Sequence, residues 1–309
     1  MMKKVLVTPR SFGKTDPLAW QMLEDAGFAV LRNPTGSILN EEQLKEMLTG
    51  CDGVVIGVDP LTADVLAAAP NLRAIAKYGV GTDNIDLDYC RQKGIKVSRT
   101  VGANAEAVAD FTFALMLAVA RQVVQIDQRC RQGDWSKITA IDVSSRTLGI
   151  LGLGAIGRAV ARRAAGFNMR VIAHDVFWDE AYATGHGLER ATPGQIFREA
   201  DFISLHLPLL PETRNIVGEA ELSLMKSTAI LVNTARGGLI DEPALLKALQ
   251  DRRIYGAGID AFSQEPPADP AWFTLDNLVL GSHAAASTSG ATEQMGRMAA
   301  RNLISDLSE

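Results

Sequence analysis

Three polar residues close three apolar runs in the last third of the chain. Arg236 follows the run in ILVNTARGGLID, Glu265 lies in AGIDAFSQEPP, and His283 ends LVLGSH. An imidazole exchanges its proton near neutral pH, so it can give or take one during a reaction. A carboxylate beside it would fix its tautomer and stabilise the imidazolium. A guanidinium holds a carboxylate through two parallel N–H donors and polarises a neighbouring carbonyl. The set suits the loss or gain of a hydroxyl proton beside an acid group. Taken singly, each has a plain alternative: an Arg in a surface glycine turn, a solvated Glu before Pro-Pro, a His at a strand rim.

A second motif supplies a context. GLGAIG places Gly152, Gly154 and Gly157 between the apolar TLGIL and the helical RAVARRAAG, and MRVIAHD ends in Asp175. In a strand–turn–helix setting the first glycine permits the tight turn and the second lets backbone approach a pyrophosphate. The third lets the helix pack on the sheet, and the helix start offers free N–H groups to phosphate. Asp175 would accept hydrogen bonds from the adenosine ribose and repel a 2′-phosphate, with no Arg following until Arg190, so NAD is favoured over NADP. The alternative is a glycine turn that packs a helix and an Asp that caps a loop.

Short β-branched runs alternate with helical patterns, as in parallel sheets built of βαβ units. Strands are expected at KKVLVT, FAVLRN, GVVIGV, LRAIAK and GIKVS. After Thr147 they are expected at TLGILGLG, MRVIAHD, ADFISLHLP, STAILVNTA, IYGAGID and NLVLGSH. In open parallel sheets ligands bind at the carboxyl ends of strands, which would gather the three polar residues beside the pyrophosphate. The stretch NAEAVADFTFALMLAVAR is apolar around most of its circumference, so it is placed between the domains and at a subunit contact. GATEQMGRMAARNLISDL has no strand left to serve and is expected to return to the first domain. The expected fold is α/β: a Rossmann dinucleotide-binding domain (100–284) inserted into a discontinuous flavodoxin-like substrate domain (1–99 plus 285–309), both doubly wound, with a cleft between them.

Bulk properties exclude other classes. The chain has 309 residues, 47% hydrophobic and 22% charged, with a net charge of −5, so a soluble two-domain protein is expected. No basic stripe suggests nucleic acid. Cys51, Cys90 and Cys130 match neither a metal-ligand spacing nor a disulfide framework, so no metal is expected, and free thiols point to a cytoplasmic setting. The start MMKKVLVTPR is too short in apolar residues for a signal peptide. FTFALMLAVA is too short to span a bilayer, which needs about 20 residues.

The chain resembles the D-2-hydroxyacid dehydrogenase family, the phosphoglycerate dehydrogenase and hydroxypyruvate reductase branch in particular. The likeness runs through KYGVGTDNIDL, GANAEAVADFTFALMLAVAR, LGILGLGAIGRAVARR, HLPLLPETRNIV, LVNTARGGLIDEPAL, GIDAFSQEPP and GSHAAAST. It implies that Arg236 binds the substrate carboxylate and carbonyl, Glu265 partners the histidine, and His283 is the general acid/base. It implies a second carboxylate clamp at Gly79, Val80 and Gly81, with Asn104 near the substrate. Toward the cofactor it implies Gly152, Gly154, Ala155, Ile156, Gly157 and Asp175, then His206, Leu207, Pro208, Thr213 and Ala235, and the nicotinamide contacts Thr234 and Asp260, with His283 beside the ring. A homodimer through the NAD-binding domain is also implied.

Some positions depart from the family. Ser282 stands where a proline usually precedes the histidine, and RTVG, with Arg99 and Val101, replaces the usual NTPG. Phosphoglycerate dehydrogenases often carry an arginine after the third strand; here VIGVDPLTADVL has Asp59 and Pro60. An acid there would disfavour a phosphorylated substrate, although Lys77 or Arg99 could compensate. Phosphoglycerate, hydroxypyruvate or glyoxylate, and another small 2-oxo acid all stay open. A second reading is an NAD(H)-sensing binding protein, as the family's transcriptional co-repressors are. The acidic charge and the lack of long disordered tails count against it.

Overall fold

All the β-branched runs form strands, and every strand pairing is parallel. The computed structural model describes residues 2–308 and divides into two units, Met1–Asn104 with Ser287–Glu309, and Ala105–Ala286. The first unit contains β1 (Lys4–Val7), β2 (Ala29–Arg32), β3 (Gly53–Ile56), β4 (Ala74–Lys77) and β5 (Lys96–Arg99). Their order is β2-β1-β3-β4-β5, the flavodoxin-like arrangement, in which the direction of winding switches between β1 and β3.

The period-two alternation of each strand sorts the core. Leu6, Val54, Ile56 and Ile75 face Leu39, Leu44, Leu48 and Leu66 on one side. Val5, Val7, Val55, Ala74 and Ala76 face the other, where Ala299, Ala300, Leu303 and Leu307 of the C-terminal helix Ser289–Ser308 cover them. Those helical residues recur at three- and four-residue spacing, which is one face of a helix. The last segment therefore returns to the first sheet.

In the second unit β6 (Thr147–Leu151), β7 (Arg170–His174), β8 (Leu188–Arg190), β9 (Phe202–Leu205), β10 (Ile230–Asn233), β11 (Gly256–Ile259) and β12 (Leu278–Leu280) lie in the order β12-β11-β10-β9-β6-β7-β8. Counted from β6, this is the dinucleotide-binding order with one strand added at the far edge. Six of these strands are expected from the sequence, and β8 is not. That strand is three residues at an edge, LER, with only Leu188 buried, so it has no apolar run to announce it.

The helix Ala105–Ala120 belongs to the second unit, where it packs on β10, β11, β12 and the helix Ala155–Ala165. Burial of Ala109, Phe113, Leu115, Met116, Val119 and Ala120 within that core accounts for its apolar circumference. The division falls after Asn104 rather than after Arg99. Thr100 is the reason: its N–H donates to Gly79 O at 3.0 Å and its Oγ1 accepts the Gly79 N–H at 2.8 Å. The second boundary falls after Ala286 rather than Ala284. No single helix among the described residues is long and apolar enough to cross a membrane.

Candidate active site

Three loops leave the carboxyl ends of β10, β11 and β12 carrying Arg236, Glu265 and His283. His283 Nδ1 lies 2.9 Å from Glu265 Oε1 and 3.0 Å from Oε2. A carboxylate accepts only, so Nδ1 carries a proton and Nε2 is the nitrogen left for other work. Oε1 also accepts the Phe262 N–H at 3.1 Å, which fixes the carboxylate to its own loop. Both side chains are about two-fifths exposed, so the pair is reachable.

Asp260 builds the histidine loop. Its carboxylate accepts the N–H groups of Ala284 and Ala285, each at 2.9 Å, and its carbonyl accepts the His283 N–H at 2.8 Å. The side chain is 1% exposed. These bonds hold His283 at φ 56, a left-handed conformation that costs a non-glycine residue about 1–3 kcal/mol and persists only where neighbours impose it. One aspartate thus fixes three successive backbone donors of the histidine loop.

The arginine loop is braced by Asn233, which the sequence reading does not assign a role. Its Oδ1 accepts the Ala235 N–H at 3.0 Å and its Nδ2 donates to Arg236 O at 2.8 Å. Arg236 itself donates from Nη1 to Ala235 O at 2.7 Å. The following Gly237 touches the next loop: a Cβ there would meet the Phe262 carbonyl carbon at 2.1 Å and Ser263 N at 2.2 Å. Only glycine fits this approach, and it draws the Arg236 loop against the loop that carries Glu265.

The glycine turn lies where β6 and β9 diverge, the winding switch of the second sheet. Gly152 has φ 100, and a Cβ there would meet His206 O at 2.5 Å; one on Gly157 would meet Gly152 O at 1.9 Å. A Cβ on Gly154 would meet nothing within 4 Å, and Gly154 precedes the helix Ala155–Ala165 without a side-chain cap. The helix start, with Ala155 and Ile156 as its first residues, thus keeps open N–H donors on an unobstructed side. Asp175 accepts Leu153 N–H at 2.6 Å and Phe177 N–H at 2.8 Å, so it also fixes the turn. These features fit a dinucleotide pyrophosphate and ribose.

Comparison with known proteins agrees. Residues 113–285 match the family model for D-isomer specific 2-hydroxyacid dehydrogenase, NAD binding domain. This chain belongs to the D-isomer specific 2-hydroxyacid dehydrogenase family. It is 45% identical over 267 residues to a glyoxylate reductase of Korarchaeum cryptofilum, covering 84% of this chain and 80% of the relative. It is 39% identical to a D-3-phosphoglycerate dehydrogenase of Methanocaldococcus jannaschii, covering 98% of this chain and 57% of that longer protein. A solved D-lactate dehydrogenase of Aquifex aeolicus, complexed with NAD and lactic acid, superposes with a TM-score of 0.85 at 29% identity, covering 96% of this chain and 93% of the other. The chain is an NAD-dependent 2-hydroxyacid dehydrogenase.

Within the dehydrogenase, several expected contacts turn inward. Thr112 Oγ1 donates to Val108 O, so the Thr234 hydroxyl, 2.9 Å away, donates to Thr112; its side chain faces the helix Ala105–Ala120. Ala235 is 9% exposed, its N–H bound to Asn233. Thr213 Oγ1 donates to Pro208 O at 2.6 Å and accepts the Leu210 N–H at 2.8 Å, closing the loop that carries Leu207 and Pro208. His206 Nε2 lies 2.8 Å from Ser204 Oγ, while its Nδ1 is buried without a partner. Burial pushes the His206 imidazole down to about 3, so the ring is neutral.

In the first unit the Gly79 N–H is occupied by Thr100. The N–H groups of Val80 and Gly81 have no hydrogen-bond acceptor among the described residues. Asn104 Oδ1 is buried without a partner, an acceptor suited to a ligand hydroxyl. Two sequence expectations are corrected. Asp59 is 3% exposed, its carboxylate accepting Thr8 Oγ1–H at 2.5 Å and the Leu39 N–H at 2.8 Å, so both of its oxygens are taken up in bracing loops. Lys77, 5% exposed, donates to Gly57 O and Asn84 Oδ1, and is a structural cation rather than a compensating one. Arg99 is exposed at the end of β5.

Proposed function

We propose that His283 is the general acid/base for interconversion of a small D-2-hydroxy acid and its 2-oxo acid, with Arg236 on the carboxylate and Glu265 as the positioning residue. The observation that carries this is the two-oxygen contact of Glu265 with His283 Nδ1, in a loop held against that of Arg236. NAD supplies or accepts the hydride at carbon 2 when bound. During reduction Nε2 of the imidazolium gives its proton to the carbonyl oxygen; during oxidation the neutral Nε2 takes the hydroxyl proton. In both directions Nδ1–H remains on Glu265, whose charge stabilises the imidazolium. The Arg236 guanidinium would bind the carboxylate, with the Val80 and Gly81 N–H groups as further donors to it and Asn104 as acceptor for the hydroxyl. The Gly152–Gly157 turn and Asp175 would hold pyrophosphate and ribose, while the Asp260 loop, Ala235 and the neutral His206 would border the nicotinamide side.

The test is to mix the protein with NADH and glyoxylate, hydroxypyruvate or phosphohydroxypyruvate and follow dihydronicotinamide absorbance. The expected result is loss of NADH with formation of one equivalent of the 2-hydroxy acid. NADH binding without turnover on any of them would contradict the reading.

We also propose a homodimer through the NAD-binding unit in the cytoplasm. Val123, Val124 and Ile126 on the helix Val123–Arg131, and Trp135 beyond it, are exposed, and apolar surface of this kind favours a two-fold contact. The free cysteines suit a reducing compartment. Light scattering giving a monomer mass at micromolar concentration would contradict the dimer.

A further inference from the structure

A cavity of about 600 Å³ opens in the first unit at the carboxyl ends of its strands. Thr8 follows β1, Gly57 follows β3 and Tyr78 follows β4, and all three line it. This is the winding switch between β1 and β3, where open α/β sheets hold ligands because the loops diverge there. The volume lies in the range of small-molecule sites, roughly 300–1,000 Å³, and exceeds what a two-carbon acid fills.

The loop after β1 determines the charge of this cavity. Phe12 is 2% exposed and packs edge-on against Trp20 with ring centres 4.7 Å apart. Turn hydrogen bonds join Phe12 N–H to Pro9 O and Lys14 N–H to Ser11 O. Ser11 Oγ donates to Tyr78 Oη at 3.1 Å, and that hydroxyl donates to Thr292 O at 2.9 Å. With Phe12 anchored inward, Arg10 and Lys14 stand on either side of it, exposed and lining the cavity. Neither has an ion-pair or hydrogen-bond partner for its side chain among the described residues. The one acid in the lining is Asp59, whose oxygens are turned onto Thr8 and Leu39. Two cations on a braced loop thus face a cavity whose carboxylate is already occupied.

We propose that this cavity receives the far end of the 2-hydroxy acid, and that this end carries a second anion, a phosphate or a carboxylate, bound by Arg10 and Lys14. The inference rests on the dehydrogenase reading above, because the substrate's own carboxylate is assigned to the Val80–Gly81 N–H groups, and Gly79 directly follows the cavity residue Tyr78. Arg10 offers a planar fork and Lys14 a point charge, a pairing that fits phosphate or a terminal carboxylate. Arg10 and Lys14 are accordingly specificity residues.

The experiment compares kcat/KM with NADH for phosphohydroxypyruvate, oxaloacetate, hydroxypyruvate and glyoxylate, in the wild type and in Arg10→Ala, Lys14→Ala and the double variant. In parallel, calorimetry measures binding of 3-phosphoglycerate and of D-malate in the presence of NAD. The expected result is that one doubly anionic acid exceeds hydroxypyruvate at least about tenfold, and that this ratio falls about tenfold or more in the double variant. Preference for phosphohydroxypyruvate identifies the anion as phosphate, and preference for oxaloacetate as carboxylate. Turnover of glyoxylate or hydroxypyruvate with a ratio unmoved by the double variant overturns the subsite and leaves the dehydrogenase reading intact. Binding of 3-phosphoglycerate or malate that depends on Arg10 and Lys14, without turnover of any acid, upholds the subsite and overturns the dehydrogenase reading.

Discussion

Gly237 lies against Phe262 so closely that a methyl group on it would overlap the Phe262 carbonyl, its carbon 2.1 Å from the carbonyl carbon. This contact ties the loop of Arg236 to the loop of Glu265, and Glu265 ties that loop to His283. Gly237→Ala must push the two loops apart, because the obstructing atoms are backbone. We expect kcat/KM for the 2-oxo acid to fall about tenfold or more, since small misplacements of reacting groups are costly. NADH affinity, measured by fluorescence, should change less than about threefold. Unaltered kcat/KM would show that the contact does not set the site.

Glu265→Gln keeps the size and an oxygen for the Phe262 N–H but removes the charge facing His283. The expected outcome is a fall in kcat of about 10–100-fold with KM for the 2-oxo acid within about twofold, because the lost interaction acts on the imidazolium rather than on bound substrate. Glu265→Asp should recover part of kcat. A rise in KM at constant kcat would instead assign Glu265 to substrate binding.

Asp175→Asn preserves an acceptor for Leu153 N–H while removing the charge that a 2′-phosphate would meet. The ratio of kcat/KM with NADPH to that with NADH should rise about tenfold, the equivalent of about 1.4 kcal/mol. A constant ratio would place the discrimination elsewhere.

His206 gives a pH dependence with a definite sign. Burial lowers it from 6.5 to about 3, so between those values the unfolded chain binds a proton that the folded chain does not. Stability contributed by the neutral ring is fully present above about 6.5 and is lost as pH falls toward 3. Between pH 7 and 5 this group should remove about 2 kcal/mol. Urea unfolding of the wild type at both pH values, set against His206→Asn, measures it. An equal pH dependence in the two proteins would contradict the assignment.

The sheets were legible because parallel strands buried on both faces read as continuous apolar runs, as ILVN and FISL do. β8 was not, since an edge strand with one buried leucine carries no such signal. The glycine turn, Asp175 and the three polar strand ends were legible from residue type and spacing. What could not be read was the direction a side chain takes. Asp59 faces Thr8 from 51 positions away, and Thr234 faces Thr112 from 122 positions away; these partners are set by tertiary packing. The Arg10–Lys14 cavity was equally hidden, because only the fold shows that Phe12 turns inward between the two cations.

If His283 moves the proton, His283→Ala must lose turnover but keep NADH binding when both are measured on the same preparation. The variant's kcat should be lower by about 10²–10⁴-fold with the NADH dissociation constant within about threefold of the wild type. Turnover within tenfold of the wild type at the same NADH occupancy would contradict it.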